Sequence, residues 1–237
     1  MLALLFAIKY WNLVSVTIAA FLLSFLLVGC FSSELTYSLV YLLRLLFNDS
    51  ADLVSLNLSL PDITLRAGYL AMCVSVDSAM ECVAAHNLSV LYASSSIKLE
   101  EGTMSLTDVS RGLSETCNPR LLVCCIILSL LLIVLILWLA IPLVPGKMFI
   151  RRVTLALGVL TVLLWGLGAM LQHQTVLTAV KLVEMSSLGL IKLNRGGRAE
   201  AMTWTAFLFL FVATIGVGFE NWKEVQPQVK EQKRYGS

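Results

Sequence analysis

Four long apolar stretches, separated by polar segments of very unequal length, set the plan of this 237-residue chain. A bilayer hydrocarbon core about 30 Å thick needs about 20 apolar residues in helical form, at about 1.5 Å each. Residues 11–31 meet that requirement, running from Trp11 to Phe31 without a charge. Residues 121–144 are Leu-, Ile- and Val-rich, with Trp138 inside and Pro142 close to the end. Residues 153–172 follow the pair Arg151-Arg152, and residues 202–219 carry Trp204, a Phe-rich middle and Gly216-Val217-Gly218. The remainder divides into a short N-terminus (1–10), a long polar segment (32–120), a short loop (145–152), a second polar segment (173–201) and a tail (220–237). The first run reads as a retained span rather than a signal peptide. Lys9 splits it late, no basic region precedes it, and its apolar part is longer than a signal core.

Within the long polar segment the period changes. Leu35, Leu39, Leu42, Leu43 and Leu46 are spaced as one face of a helix, which packs on the rest of the segment or, alternatively, lies on the membrane surface. From Ile63 the period is two. Ile63, Leu65, Ala67, Tyr69, Ala71 and Cys73 alternate with a different set, as in one half-buried strand. Leu88, Val90 and Tyr92 predict a second strand. Ser94-Ser95-Ser96 and Glu100-Glu101-Gly102 read as turns, and Thr107 to Thr116 as a short helix leading to Asn118-Pro119 at the membrane boundary. In residues 173–201, Val176, Val180, Val183 and Leu190 have rough helical spacing that Asn194-Arg195-Gly196-Gly197 then breaks. The expected fold is an all-α membrane protein. It is a bundle of four transmembrane helices with a small extracellular α+β domain, containing a short antiparallel sheet, in the first outer loop.

Composition agrees. A hydrophobic fraction of 58% against a charged fraction of 14%, and a mean hydropathy of +0.86, leave too few polar residues to cover a water-facing surface. The excess faces a lipid bilayer. A net charge of +2, with no basic stripe carrying interleaved aromatics, excludes a nucleic-acid partner. The distribution of charge predicts orientation. Asn48-Asp49-Ser50, Asn57-Leu58-Ser59 and Asn87-Leu88-Ser89 are glycosylation sequons, all within residues 32–120. Lys147, Arg151 and Arg152 lie in the short loop, and Lys223, Lys230, Lys233 and Arg234 in the tail, as the positive-inside rule requires. Lys181, Lys192, Arg195 and Arg198 run against that rule. The expectation is a multi-pass glycoprotein of the plasma membrane, first loop outside, both termini cytoplasmic.

The chain shows no catalytic signature: no Gly-x-Ser-x-Gly, no His-Glu-x-x-His and no phosphate loop. It does not read as an enzyme, and neither a cofactor nor a resident metal is implied. Of two histidines, His86 and His173, neither has a metal partner nearby in sequence, and His173 is expected at headgroup level. The middles of the four spans carry no Asp, Glu, Lys or Arg, where ion paths would need them. If such a chain acts on ion flux, it does so by regulating another protein. Cys73 and Cys82 are spaced to close a small loop in an oxidising compartment, a staple for a small domain or else a reactive thiol pair. Cys117 pairs with Cys30, stays free or joins another chain. Between Glu34 and Arg120 stand ten acidic and five basic residues. They form a solvated acidic face or a weak calcium-binding one, without the spacing of any calcium loop. Gly158, Gly166, Gly168, Gly216 and Gly218 allow helices to approach closely, within the bundle or in a homo-oligomer.

Gly68-Tyr69-Leu70-x-Met72-Cys73, followed by Cys82, resembles the Gly-apolar-apolar-Gly-x-Cys…Cys signature of claudin-like four-span proteins. Ala71 stands where that signature has its second glycine. Alanine suits that position if the backbone there is extended, and strains it if φ must be positive. The tryptophan that precedes the motif in claudins has no counterpart here, which separates the chain from epithelial junction proteins. More narrowly, Leu65-Arg66-Ala67-Gly68-Tyr69 through Cys73-Val74-Ser75 resembles the fungal factor-induced mating proteins, regulators of calcium influx and of plasma-membrane fusion. The likeness covers the architecture of nearly the whole chain and concentrates in residues 62–83. It implies low-affinity calcium uptake and cell fusion during mating, with a calcium channel or a protein on the opposing cell as partner. A claudin-like organiser of membrane domains, or an auxiliary channel subunit, is the alternative.

Overall fold

A computed structural model describes residues 2–31, 39–47, 63–76, 79–84, 96–99, 102–105, 119–141, 147–186 and 191–235. Four helices, α1 (Leu2–Val28), α2 (Pro119–Ala140), α3 (Lys147–Ser186) and α4 (Gly197–Tyr235), carry most of the chain. Each contains a segment long and apolar enough to cross a membrane: Tyr10–Val28, Pro119–Ala140, Lys147–Val183 and Gly197–Lys223. In α2 the buried residues Leu122, Cys125, Ser129, Leu132, Ile136 and Leu139 recur every three or four positions, the stripe that one face of a helix presents to its neighbours. Ile127, Leu130, Leu131, Val134 and Leu137 are exposed. In water that would be untenable. In a bilayer it is the ground state.

Among the described residues seven strands accompany the helices: β1 (Leu43–Phe47), β2 (Ile63–Ala67), β3 (Ala71–Val76), β4 (Ala79–Ala84), β5 (Ser96–Leu99), β6 (Gly102–Ser105) and β7 (Ile191–Arg195). β5 and β6 form a separate hairpin, with Leu99 opposite Gly102. The other five make one sheet in the order β4-β3-β2-β1-β7, and all of its pairings are antiparallel. Across it Leu193, Leu45, Leu65 and Val74 stand in one row. These residues are buried in the same core as Leu23 and Leu26 of α1, Val176 and Val183 of α3, and Leu210 of α4. The sheet is therefore a lid on the bundle, continuous with its interior. α3, with 40 residues, extends about 60 Å, about twice the hydrocarbon thickness, so its last turns reach the sheet.

Several sequence expectations are corrected here. The helix read over Leu35 to Leu46 is strand β1 where the chain is described at Leu43–Phe47; Leu35 lies outside the described residues. Tertiary pairing on both edges overrides the helical spacing. The single strand read from Ile63 to Cys73 is two strands, β2 and β3, folded at Gly68-Tyr69-Leu70. Both strands are buried on both faces over most of their length, so alternation could not mark the turn. β4 was not foreseen. The strand expected at Leu88, Val90 and Tyr92, the helix expected at Thr107–Thr116, and Asn48, Asn57 and Asn87 all lie outside the described residues. In the second polar segment α3 continues through Val176, Val180 and Val183, as the spacing predicts. α3 ends at Ser186, before the break expected at Asn194-Arg195-Gly196-Gly197; Asn194 and Arg195 belong to β7, and Leu190 lies outside the described residues.

β7 changes the topology most. It pairs with β1 from Leu43↔Arg195 to Phe47↔Ile191, so both polar segments lie on one side of the bundle. The basic residues Lys192 and Arg195 stand in β7 and Arg198 in the first turn of α4, all on the sheet side.

The sheet is seated through backbone contacts that only glycine permits. Gly29 follows the end of α1, and a Cβ on it would overlap the carbonyl oxygen of Val40. A Cβ on Gly68 would come within 2.5 Å of the Gly29 carbonyl oxygen, and one on Gly196 would overlap the carbonyl of Tyr41. The intervening strand entry is tied on both sides: Leu42 N–H donates to Ala67 O at 2.8 Å and Gly196 N–H to Leu42 O at 2.9 Å. Gly197, by contrast, has nothing within 4 Å of its would-be Cβ. Adjacent glycines therefore separate cleanly. Gly196→Ala should lower thermal stability of the purified protein by about 1–3 kcal/mol through overpacking, whereas Gly197→Ala should stay within about 0.5 kcal/mol. Equal effects at the two positions would show that backbone contact at Gly196 does not seat the sheet.

Candidate functional site

The turn Gly68–Ala71 is where strand, helix ends and motif meet. Gly68 N–H donates to Ala71 O at 2.9 Å, closing the β2–β3 turn with Tyr69 and Leu70 at its tip. Among the described residues only Cys30 is a non-glycine with positive φ, so Ala71 sits in extended backbone, opposite Ala84 in β3–β4. Alanine fits there without strain. Gly68 is required for closeness to Gly29, not for an unusual φ.

Each motif side chain faces a different environment. Tyr69 is buried and its hydroxyl donates to Gln172 Oε1 of α3 at 2.8 Å. Thr203 of α4 places its hydroxyl 3.1 Å from the same oxygen and 2.8 Å from the Ala199 carbonyl; its single hydrogen serves one acceptor at a time. Trp165, deep in α3, donates its indole N–H to the Thr203 carbonyl at 3.3 Å. The turn is thus bonded into two spans through a small polar network. A network in low dielectric is stable only when its members are satisfied. Beside it, His173 Nδ1 lies 2.9 Å from Glu200 Oε1, with the Trp204 ring edge-on to the imidazole. A crevice of about 20 Å³, room for about one water, is lined by Gln172, His173, Glu200 and Thr203 among others. Leu70 alone in the turn is exposed, at 38%.

Cys73 and Cys82 stand directly opposite each other in β3 and β4 and are joined by a disulfide. Cys73 is buried and Cys82 half-buried. The Cys73 sulfur lies 3.3 Å from the Cys30 carbonyl oxygen, and Cys30, Ala71 and Cys73 form a small core with Tyr41 and Met80 against it. Arg66, on the same face, stacks over the Tyr41 ring at 5.6 Å. Cys30 holds φ 64° where the chain leaves α1. Its thiol is free and buried, donates toward Val40 O at 3.6 Å, and burial pushes it up to about 12. It is a packing group here, not a nucleophile. Cys117 lies outside the described residues, and so do all but Glu81 of the acidic residues between Glu34 and Arg120. Among the described residues no cluster of three metal-ligating side chains occurs.

The opposite end of the bundle holds a second polar cluster. Asn12, Arg151 and Glu220 are buried there, from α1, α3 and α4, around a cavity of about 10 Å³. Arg151 and Glu220 interact electrostatically. Gly216 leaves room for the Asn12 amide, since a Cβ would overlap its Oδ1. Gly158 meets Thr214, Gly166 meets Phe207 and Gly168 meets Leu121, so the span glycines are used inside the bundle.

Sequence reading named Gly68, Tyr69, Leu70, Ala71, Cys73 and Cys82 and missed Gln172, Thr203, Gly29 and Gly196. The available signal was a Gln and a Thr near the ends of apolar spans, where an unpaired amide or hydroxyl is costly. If the network couples turn to bundle, Tyr69→Phe should destabilise the protein by about 1–2 kcal/mol by leaving Gln172 short of a donor. Tyr41→Phe keeps the ring under Arg66 and should cost less than about 0.5 kcal/mol. Thermal melts of the two variants measure the difference, and equal melts would remove the coupling role.

Comparison with known proteins gives the family. Residues 50–221 match the model of the family described as Ca2+ regulator and membrane fusion protein Fig1. The Factor-induced gene 1 protein of Saccharomyces cerevisiae is 26% identical over 248 aligned positions, spanning 89% of this chain and 81% of that protein. The family match takes in β2, β3, β4 and β7, the disulfide, α2, α3 and most of α4, and the chain belongs to the Fig1 family of Ca2+ regulators and membrane fusion proteins.

Proposed function

We infer that this chain is a fungal plasma-membrane protein that regulates low-affinity calcium influx and promotes membrane fusion during mating, with the sheet outside the cell and both termini in the cytoplasm. The observation that carries the reading is the junction itself. The family's motif segment forms a disulfide-bound sheet whose turn is bonded to α3 and, through Gln172, to α4. An event at the outer face is thereby passed to the spans as a change in packing. The three sequons within residues 32–120 and the basic residues of 145–152 and 220–237 support the orientation. The yeast relative's name, factor-induced, supports a role in mating.

The action is regulatory. The span middles carry no ionisable residue, and the ionisable groups buried at the far end, Arg151 and Glu220, face each other across the bundle. A separate calcium channel, or a protein on the opposing cell, is the partner this reading requires. Gly68, Tyr69 and Ala71 shape the turn, Cys73 and Cys82 hold β3 to β4, and Asn48, Asn57 and Asn87 carry the glycans. The family description is of a regulator and a fusion protein rather than of an enzyme.

Calcium uptake in mating fungal cells that lack the protein tests this directly. Restoring the wild-type chain should restore uptake, and restoring Cys73→Ser/Cys82→Ser at equal surface level should not. Uptake unchanged by the wild-type chain would overturn the calcium reading and favour an organiser of membrane domains.

A further inference from the structure

A roomier cavity than the crevice at the junction lies on the bundle's flank. A groove of about 380 Å³ opens between the tip of the β2–β3 turn and the first turns of α2, lined by Leu70, Arg120, Val123, Cys124, Ile127 and Leu128. That volume is within the range of small-molecule sites. We propose that it is a binding site for a single phospholipid of the leaflet on the sheet side, its acyl chain in the groove and its phosphate on Arg120.

Three observations select this occupant. First, the groove lies at membrane depth. Val123 and Ile127 are exposed on α2, opposite the stripe Leu122, Cys125 and Ser129 that faces the bundle, so the groove opens to hydrocarbon. Second, its length fits one leaflet. From Arg120 to Leu128 the helix rises about 12 Å, close to the half-thickness of about 15 Å that one lipid chain covers. Third, among the described residues the one charge in the lining is Arg120, exposed at the mouth where α2 begins. A guanidinium has five N–H donors, so it can take a phosphate oxygen alongside its own protein contacts.

Leu70 then has a task that the turn's other residues do not share. Gly68, Tyr69 and Ala71 are buried in the junction, while Leu70 overhangs α2 and closes the top of the groove. A polar residue there would open the acyl chain to headgroup water. The site gives the rigid sheet a direct hold on the leaflet, independent of the orientation of the chain in the cell.

Native mass spectrometry of the full-length, delipidated protein, with dioleoyl phosphatidylglycerol or dioleoyl phosphatidylcholine added back, tests the proposal. One lipid should be retained per chain. Ile127→Trp, which fills the groove from a lipid-facing position, and Arg120→Gln should each weaken retention about tenfold, equivalent to about 1.4 kcal/mol. Val159→Trp, on the exposed face of α3, should leave retention unchanged and so control for bulk. Size-exclusion profiles and an intact Cys73–Cys82 bond show that each variant is folded. Absence of a retained lipid, or retention indifferent to both groove variants, overturns the proposal. So does a photoreactive residue at position 127 that cross-links in membranes to a protein chain rather than to phospholipid.

Discussion

The fold turns on carbonyl oxygens seated where a side chain would otherwise be. At Gly29, Gly68 and Gly196 the missing Cβ lets the end of α1, the β2–β3 turn and the entry to α4 close around the segment from Val40 that leads into β1. An apolar surface alone would hold a sheet against a bundle loosely, because burial has no direction. Backbone contact at three points fixes one position. Everything on the sheet side follows from that fit: the Cys30 carbonyl against the disulfide, the Tyr69 hydroxyl on Gln172, and Leu70 over α2.

Charged groups and buried amides are placed at the two ends of the bundle, whereas mid-span hydroxyls such as Ser129 and Thr161 bond back to a carbonyl of their own helix. At the sheet end Gln172 and Thr203 link α3 and α4 to the turn. At the other end Asn12, Arg151 and Glu220 converge from three spans. Between the two clusters the helices pack through Leu, Ala and Gly. A transition that altered one end must reposition whole helices, since packed interiors do not deform continuously. Such a bundle suits a protein that conveys a packing change to a partner.

The four spans and the presence of an antiparallel sheet were legible because they rest on local pattern. Continuous apolar runs of about 20 residues admit few other structures, and the period-two run from Ile63 does mark strand. The continuation of α3 past the span was legible in the spacing of Val176, Val180 and Val183, whereas the extra length of α4 was not, since its last turns have ordinary polar composition. The fifth strand was hidden for a different reason. Ile191–Arg195 lies nearly 150 residues from its partner Leu43–Phe47, and no local signal records a pairing at that distance. Leu42, Leu43 and Leu46 suited a helix face equally well, and only β2 and β7 on either side decided for strand. The motif was read as a disulfide with a glycine beside it. Why that glycine is needed became clear only with Gly29, 39 residues earlier, whose carbonyl occupies the space.

The central physical claim is that the sheet and the ends of the spans behave as one body because of these glycine contacts. Amide hydrogen exchange on the purified protein, wild type against Gly68→Val, examines it most directly. Substitution should speed exchange in β1, β2 and β7 and in the sheet-side ends of α1 and α4 together, while the middle of α2 stays protected. Unchanged protection of the sheet, or loss confined to the β2–β3 turn, would contradict the account.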